Sequence, residues 1–448
     1  MNYKLIRNIV LIVALIAVVA STVVFAYKNN SVLPVDKTLE NGSEVNEQLD
    51  SGADNSDVDT DLSNNEGENK NKSDGSTEEG KEASDESNTN KPENASPTPQ
   101  NPSPTPTPVK KDINVKALYL TGWTVGIDSK LKHYIDLANT TEINSYVIDI
   151  KDDDGLVGYE TDVQAVREIG AWTKKYDPDK VLKELHENDI YVIGRLVCFK
   201  DPVASSKMPE LAIKNINRGL WKEKNSDGKY ISWLSPYNKA SWPYLIEIAK
   251  EAVKKGFDEI QFDYVRFPNT DRRLMDFGNV SETKYDTINE FLSYAKEQLP
   301  GVPISADVFG IICESPKDTE DIGQYLELVG KEIDFISPML YPSHYAVGQS
   351  VNGVRFVKPD LKPYDVVYNS LAKAKDRISQ VEGYNADVRP YLQDFTASWL
   401  GDGYYQQYGP EQVKQQIQAV YDAGYEQWIF WDSFNTYSEA AFKKETNN

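Results

Sequence analysis

After residue 111, apolar residues recur along the chain with two different periods. Short runs that alternate every second residue and are rich in β-branched and aromatic side chains predict strands. The stretches between them repeat apolar positions every three to four residues, which is typical of amphipathic helices. The eight predicted strands are 115–123, 143–151, 190–199, 258–267, 302–310, 334–341, 387–395 and 426–432. The amphipathic stretches include 178–188, 242–256, 287–299, 368–380 and 411–424.

This alternation predicts the fold class. Eight strand–helix pairs within residues 112–448 indicate an α/β protein, and they fit a closed (β/α)8 TIM barrel better than an open parallel sheet. In such a barrel the functional residues lie at the C-terminal ends of the strands. We therefore expect one barrel domain over residues 112–448.

The first 27 residues have a different character. Lys4 and Arg7 precede an uncharged apolar run over residues 9–27, and its 19 residues are just long enough to cross a bilayer with the basic side in the cytoplasm. A cleaved signal peptide is the alternative, because V-V-A at 18–20 and V-F-A at 24–26 resemble cleavage sites. A retained signal-anchor over residues 1–27 is favoured, since the apolar core of a signal peptide is usually shorter. In both cases we expect the rest of the chain to be exported.

Residues 28–111 predict a disordered linker. They contain 18 acidic and 8 basic residues, with almost no aromatic or branched apolar side chain after Leu62. Such a composition cannot bury enough apolar surface to fold. The segment ends in SPTPQNPSPTPTP at 96–108, which is typical of a stiff, extended spacer. We expect it to hold the barrel away from a membrane.

Charge and composition exclude several classes of function. The formal net charge of −22 argues against a nucleic-acid partner, which would require a basic surface. Only two cysteines occur, Cys198 and Cys313, so a disulfide framework is not expected. The three histidines, His133, His186 and His344, are too scattered for a His-rich metal site, which argues against a zinc hydrolase. No metal or organic cofactor is therefore assigned from the sequence, which leaves open a bound Ca²⁺ at residues 152–154.

Charged and aromatic residues gather where the predicted strands end. In chain order these candidates are Asp149, Lys151, Arg195, Asp263, Arg266, Asp307, Tyr341, Asp394, Trp431 and Asp432. A single acid at a strand end is often a helix cap or the partner in a loop ion pair. Five acids that converge on one barrel mouth instead favour a functional site. The acidic run at 152–154 predicts a solvated turn.

Asp263 and Asp307 are the strongest catalytic candidates, because alternation places each of them inward on neighbouring strands. Neighbouring strands lie about 4.8 Å apart, which is close to the roughly 5–5.5 Å between the two carboxylates of a retaining glycosidase. One carboxylate would be the nucleophile, and the other would need a raised pKa to act as a proton donor. Arg195 or Arg266 could keep the nucleophile charged. A purely structural ion-pair cluster would use the same residues.

Aromatic residues accompany these carboxylates. Trp123 follows strand 1 and Trp431 lies in strand 8, and the predicted loops 219–236 and 398–409 carry further Trp and Tyr side chains. Exposed rings above a carboxylate-lined mouth would suit stacking on sugars. The alternative is that these rings pack against the barrel rim, since Trp and Tyr are intermediate in burial.

At these residues the chain resembles a known family, the putative glycoside hydrolase domain of bacterial exported proteins. This family of unknown function is related in fold to α-amylase and α-galactosidase barrels. The matching segments are VIDIKDDDG (147–155), FKDP (199–202), GFDEIQFDYVRFP (256–268), SADVFG (305–310), ISPMLYPSHY (336–345) and RPYLQDF (389–395). They cover nearly all of residues 112–440 in order.

The resemblance implies a glycoside hydrolase and assigns roles to three acids. By similarity to the amylase-type barrels, the strand-4 residue Asp263 would be the nucleophile. Those enzymes use Glu as the strand-5 acid/base, and this chain has Asp307 there. Asp394 would correspond to the strand-7 Asp that steadies the transition state. The α-galactosidase relatives place their acid on strand 6, where residues 336–345 contain no carboxylate.

The sequence thus predicts an exported glycoside hydrolase that acts on a polysaccharide. It would be a single-pass protein of the cell membrane with its barrel outside the cell, or a secreted one if the N-terminus is cleaved. Besides the catalytic pair, the remaining candidates would bind sugar hydroxyls or tune charge. The alternative is a non-catalytic carbohydrate-binding or cell-envelope structural barrel. A metal-dependent deacetylase would need His ligands that these motifs lack.

Overall fold

The computed structural model describes residues 113–224, 228–270 and 272–443. The predicted anchor at 1–27 and the predicted linker at 28–111 lie outside the described residues. Within the described residues, no helix combines the length and the apolar character needed to cross a membrane.

Eight parallel strands form a closed barrel, which confirms the fold predicted from the alternation. Each strand pairs with the next one along the chain, and the first also pairs with the last, where Ala117 lies opposite Ile429. The strands are β1 (Lys116–Leu120), β2 (Ser145–Lys151), β3 (Tyr191–Val197), β4 (Glu259–Asp263), β5 (Ile304–Phe309), β6 (Phe335–Met339), β7 (Asp387–Val388 and Tyr391–Gln393) and β8 (Trp428–Trp431).

Helices connect consecutive strands around the outside. The crossover helices are α1 (Asp128–Thr140), α2 (Pro178–His186), α3 (Trp242–Lys255), α4 (Lys284–Gln298), α5 (Leu326–Val329), α6 (Pro363–Ile378) and α7 (Pro410–Asp422). The fifth is shortened to one turn, and a 3-10 turn at Glu439–Phe442 follows β8. Short helices at Gly122–Val125, Gln164–Ile169 and Pro202–Lys207 extend the first three crossovers. Short antiparallel ribbons, such as Gln349–Val351 with Val354–Phe356, extend other loops.

Local sequence signals explain where these helices begin and end. Asp177 precedes Pro178 and caps α2, because its carboxylate accepts hydrogen bonds from two backbone N–H groups of the first turn. Helix α3 ends at Gly256, whose φ of 114° suits a residue without a β-carbon. The chain then turns directly into β4.

The strands separate two apolar cores. Outward-facing residues such as Ile260 and Phe262 pack beneath the helices in the larger core. A smaller core, which includes Val147, Ile193 and Ile429, lies within the barrel. Full burial of such a side chain stabilises the fold by about 1.5–3 kcal/mol. Because the two cores lie on opposite faces of the strands, they fix which side chains of each strand point inward. The same alternation of faces directs the polar residues at the strand ends into the mouth.

One predicted strand is shorter than the sequence suggests, and the difference affects the site. Strand β4 ends at Asp263 rather than continuing to residue 267. The reason is Tyr264, whose φ of 48° interrupts the extended backbone. Alternation predicted Tyr264 on the same face as Ile260 and Phe262, but its side chain lines the mouth instead.

Candidate active site

A cavity of about 710 Å³ lies at the C-terminal mouth of the barrel. Its lining includes both predicted catalytic acids, two arginines and a group of aromatic side chains. Among the residues that line it are Tyr119, Asp153, Arg195, Asp263, Tyr264, Arg266, Asp307, Phe309, Tyr341, His344, Tyr391 and Trp431.

Arg195 on β3 is the centre of the charged network. Its Nε and Nη2 donate to one oxygen of Asp263, at 2.9 and 2.6 Å. Its Nη1 donates to Asp149 Oδ1 at 2.7 Å, and its Nη2 also donates to Asp153 Oδ2 at 3.0 Å. Burial alone would lower the pKa of Arg195, but the three carboxylates outweigh it and raise the pKa well above its usual value. The guanidinium is therefore a permanent positive charge.

Asp263 is held by hydrogen bonds on both oxygens. Oδ2 accepts from Arg195, and Oδ1 accepts from the backbone N–H of Tyr264 at 2.6 Å. The guanidinium and the N–H both favour the charged carboxylate. Tyr264 has a positive φ in the backbone conformation that brings its N–H to the Asp263 carboxylate. Of the two arginines that the sequence offered as partners for Asp263, Arg195 is the one that contacts it.

Asp307 on β5 has the opposite environment. Phe262 on β4 is paired with Ala306 on β5, so the next residues, Asp263 and Asp307, are neighbours at the mouth. Oδ1 of Asp307 is buried and has no hydrogen-bond partner within the described part of the chain. Burial raises the pKa of Asp307 well above its usual range, and the charge of Asp263 raises it further. This environment favours the protonated form of Asp307 over the charged one.

Asp149 lies behind the cavity rather than in its lining. It contacts Arg195 on one oxygen and accepts a hydrogen bond from Tyr119 Oη on the other, at 2.6 Å. Direct contact with a substrate, which the sequence suggested, is not supported by this placement. Asp149 instead orients Arg195, which in turn holds Asp263.

Lys151 is not part of the mouth, so the prediction that it shares a face with Asp149 is wrong. A β-bulge between Asp149 and Lys151 shifts the register against β3, which turns the lysine to the other face. There the side chain is fully buried, donating to Val197 O at 2.7 Å and pairing with Asp201 at 2.9 Å. It stabilises the fold beneath the loop that follows β3.

Asp394 and Asp432 are also outside the cavity lining. Both oxygens of Asp394 accept hydrogen bonds from Ser438, and Asp432 accepts one from the backbone N–H of Thr436. They are loop-capping residues, as isolated acids at strand ends often are. Burial raises the pKa of Asp394 to about 7, against the opposing effect of the Ser438 donors. The structure does not bring these two acids to the catalytic pair.

Sequence reasoning missed Asp153, which was assigned to a solvated turn. Its carboxylate is only partly exposed and contacts Arg195 and, at 3.1 Å, the amino group of Lys200. Burial opposes its charge, but these two cations prevail and lower the pKa of Asp153. Lys200 also donates to the hydroxyl of Tyr264 at 3.1 Å. The only available signal was the pairing of an acidic run with the FKDP segment.

Arg266 lines the cavity without a carboxylate partner among the described residues. Within the described residues it makes one hydrogen bond, from Nη1 to the carbonyl of Phe267, at 2.9 Å. The guanidinium carbon lies 4.4 to 5.1 Å from the ring centres of Phe309, Tyr264 and Trp233. Aromatic stacking, rather than an ion pair, therefore positions Arg266.

Aromatic rings form one wall of the cavity, as predicted for Tyr341 and Trp431. Trp431 is tilted against Tyr341 at 5.9 Å and stacked on Tyr119 at 6.4 Å. Outside the cavity, Trp399 is 65% exposed and stacks on Phe395 at 5.9 Å. A sugar ring could stack on such a surface.

The tryptophans of loop 219–236 behave differently. Trp221 and Trp233 are both buried in the outer core, so they support the rim instead of presenting a free ring. Within the described ranges, no group of three or more His, Cys, Asp or Glu side chains has a metal-binding arrangement. Cys198 and Cys313 are buried free thiols.

Several solved structures are similar to this chain. A hypothetical protein from Ruminiclostridium thermocellum is 67% identical over 43% of this chain and 97% of its own, with a TM-score of 0.40. The PgaB (BpsB) glycoside hydrolase domain from Bordetella bronchiseptica is 12% identical over 75% of this chain and all of its own, with a TM-score of 0.51, which shows a shared fold. The α-galactosidase TtGalA from Thermus thermophilus is 11% identical over 75% of this chain and 67% of its own, with a TM-score of 0.45.

The family assignment comes from the sequence of the barrel itself. No curated protein matches the chain. The family model described as "Putative glycosyl hydrolase domain" matches residues 117–437, from β1 to the loop after β8. The match includes every strand of the barrel except the first residue of β1, together with the whole charged network of the mouth. The chain therefore belongs to this glycosyl hydrolase domain family.

Proposed function

We propose that the protein hydrolyses glycosidic bonds of a polysaccharide with Asp263 as nucleophile and Asp307 as acid/base. The observation that carries this proposal is the contrast between two neighbouring carboxylates. Asp263 accepts hydrogen bonds from Arg195 and a backbone N–H, whereas Asp307 is buried beside it with an oxygen that has no partner among the described residues. Opposite environments for adjacent acids are how one site supplies a nucleophile and a proton donor at the same pH. Membership in a glycosyl hydrolase family supports the reaction class.

The reaction would proceed in two steps. Asp263 attacks the anomeric carbon while Asp307 transfers its proton to the leaving glycosidic oxygen, which gives a glycosyl ester on Asp263 and releases one sugar chain. Asp307, now charged, removes a proton from water as the water attacks the same carbon. The ester breaks, Asp263 leaves as a carboxylate, and Asp307 is protonated again. Net retention of anomeric configuration follows from two displacements at one carbon.

Other residues would support these steps without reacting. Arg195, held in place by Asp149 and Asp153, keeps Asp263 charged and oriented. Tyr341 and Trp431 offer ring faces to the sugar. The exposed ring of Trp399 would extend the binding surface along a polymer.

The cellular location is part of the proposal. The apolar run at 9–27 would remain as a membrane anchor, and residues 28–111 would span the distance from the bilayer to the barrel. A polysaccharide outside the cell would then be within reach of a tethered enzyme. Protease accessibility of the barrel on intact cells is the matching measurement.

Release of reducing ends from a panel of bacterial and plant polysaccharides tests the proposed reaction. The wild-type chain should release them, Asp263→Asn should not, and Asp394→Asn is the matched control because that acid lies outside the cavity. Equal release by wild type and Asp263→Asn would contradict the assignment of the nucleophile. A folded protein that is retained on one polymer and releases nothing would indicate the carbohydrate-binding alternative.

A further inference from the structure

Arg266 is a buried cation that forms no ion pair with the described residues, although the charges of Asp263, Glu223 and Asp153 act on it from a longer distance. It is 8% exposed, and no carboxylate of the described residues lies within ion-pair distance of it. Other buried cations in the barrel are paired: Arg195 with Asp263, Lys151 with Asp201 and Arg389 with Glu259. An unpaired buried charge is strongly destabilising in a folded protein. A cation left in that state at a cavity wall therefore suggests a partner that arrives from outside.

The surroundings of Arg266 leave its polar edge free. Three rings contact the guanidinium, and only Nη1 is committed, to the carbonyl of Phe267. Asp263, whose charge acts on Arg266, has its own two oxygens hydrogen-bonded to Arg195 and to the backbone N–H of Tyr264. The remaining N–H groups of Arg266 therefore have no acceptor among the described side chains and lie at the cavity.

Other positive groups near the cavity cannot serve an anionic ligand in the same way. Arg195 is surrounded by three carboxylates, and Lys200 contacts Asp153. Burial lowers the pKa of His344, so its ring is neutral at neutral pH. Arg266 is thus the cation of the lining that remains available.

We propose that Arg266 forms a subsite for the carboxylate of an acidic sugar, so that the substrate is a uronate-containing polysaccharide. The inference rests on the proposed function, since it names the substrate class of the same cavity. A planar guanidinium matches a planar carboxylate through two parallel hydrogen bonds, and aromatic contacts on its faces hold that fork in position. A chain with a net charge of −22 would otherwise repel such a polymer, so a local cation is needed where the sugar binds.

The proposed subsite is tested by comparing each carboxylated polymer with its carboxyl-reduced form. The full chain is compared with Arg266→Met, Arg266→Lys and the exposed control Arg355→Met by affinity electrophoresis in polygalacturonate, polyglucuronate and alginate, each beside its carboxyl-reduced form. Wild type and Arg355→Met should be retarded by at least one carboxylated polymer and not by its reduced form. Arg266→Met should bind about 10–100-fold more weakly, as expected for a lost hydrogen bond to a charged group, and Arg266→Lys should recover part of the loss.

The outcomes separate the subsite from the hydrolase. Retention that Arg266→Met leaves unchanged, or no retention on any carboxylated polymer, would overturn the subsite. Hydrolysis of a neutral polymer by wild type and by Arg266→Met alike would keep the glycosidase and likewise overturn the subsite. Arg266-dependent retention with no release of reducing ends would support the subsite and contradict the proposed hydrolysis. A purely structural role would lower the melting temperature without discriminating between a polymer and its reduced form.

Discussion

Two layers inside the barrel use the same kinds of residue in different ways. Glu259 and Asp263 both point inward from β4, four positions apart, and each pairs with an arginine. In the lower layer Glu259 accepts hydrogen bonds from Arg389, Ser305 and Tyr191, and both charges are fully enclosed. In the upper layer Arg195 is shared by three carboxylates at the wall of an open cavity.

The difference lies in what is left without a partner. In the lower layer the carboxylate is fully satisfied, and the one orphan, Arg389 Nε, is enclosed in protein. In the upper layer, among the residues that the structure describes, Asp307 Oδ1 has no hydrogen-bond partner and Arg266 forms no ion pair, and both side chains line the cavity. Buried polar groups are normally satisfied, so such groups at a cavity indicate a function that the fold itself does not need. The contrast assigns a structural role to Glu259 and Arg389 and supports the proposal that the chemistry takes place in the upper layer.

The largest expected effect is on activity at the upper layer. Asp263→Asn should reduce the release of reducing ends by roughly 10⁴-fold or more, because the amide cannot replace the carboxylate on which the glycosyl ester is proposed to form. The folded state should survive, since Arg195 keeps Asp149 and Asp153 as partners. Rates measured on a responsive polymer, together with the melting temperature, check both parts. A large fall in the melting temperature of Asp263→Asn would instead mean that Asp263 stabilises the fold.

The corresponding change in the lower layer should affect stability. Glu259→Gln leaves the buried guanidinium of Arg389 without its counter-charge, which should cost about 3–5 kcal/mol in the free energy of unfolding. Urea unfolding measures this cost. The double variant Glu259→Gln/Arg389→Met removes both charges and should recover much of it. A cost below about 1 kcal/mol for the single variant would mean that the pair does not stabilise the barrel.

Asp307→Asn should lower activity by about 10²–10⁴-fold, the usual contribution of a general acid. Wild-type activity should fall as pH rises through the raised pKa of Asp307, because the acid must be protonated to donate. The variant should lose that alkaline limb. A substrate with an activated leaving group should lose far less rate, since its departure needs no proton. An unchanged bell-shaped pH profile in Asp307→Asn would contradict the assignment of the acid.

The smallest expected effect concerns Tyr119, which orients the network through Asp149. Tyr119→Phe removes one hydrogen bond, at about 0.5–1.5 kcal/mol, so the rate should fall only a few-fold. Because the change acts on the position of Asp263 through Arg195, kcat should fall with KM nearly unchanged. Steady-state kinetics on a defined oligosaccharide provide the comparison. A loss as large as that of Asp307→Asn would give Tyr119 a direct role in the reaction.

The regular part of the molecule could be predicted from the sequence. Alternation identified all eight strands, and it placed Asp263 and Asp307 on inward faces because they lie on uninterrupted strands. Predictions failed where the backbone departs from that alternation. The bulge in β2 moves Lys151 to the other face, and the positive φ of Tyr264 brings its ring to the mouth.

Loop residues were beyond sequence reasoning for a different reason. Asp153 depends on how the turn after β2 folds back onto Arg195, and no local period encodes that contact. Asp394 and Asp432 look like site residues because they also end strands, but loop N–H groups satisfy them. Only the partners of an acid distinguish a cap from a catalyst, and partners distant in sequence require the structure.

The most direct test of the account is the protonation state of Asp307. A difference proton titration compares the full wild-type chain with Asp307→Asn and with Asp263→Asn. We expect the wild type to release one additional proton well above the ordinary carboxyl range near pH 4, and removal of the Asp263 charge to shift that step to lower pH. A difference confined to the ordinary carboxyl range would mean that both acids are charged at neutral pH, which would contradict the assignment of nucleophile and acid.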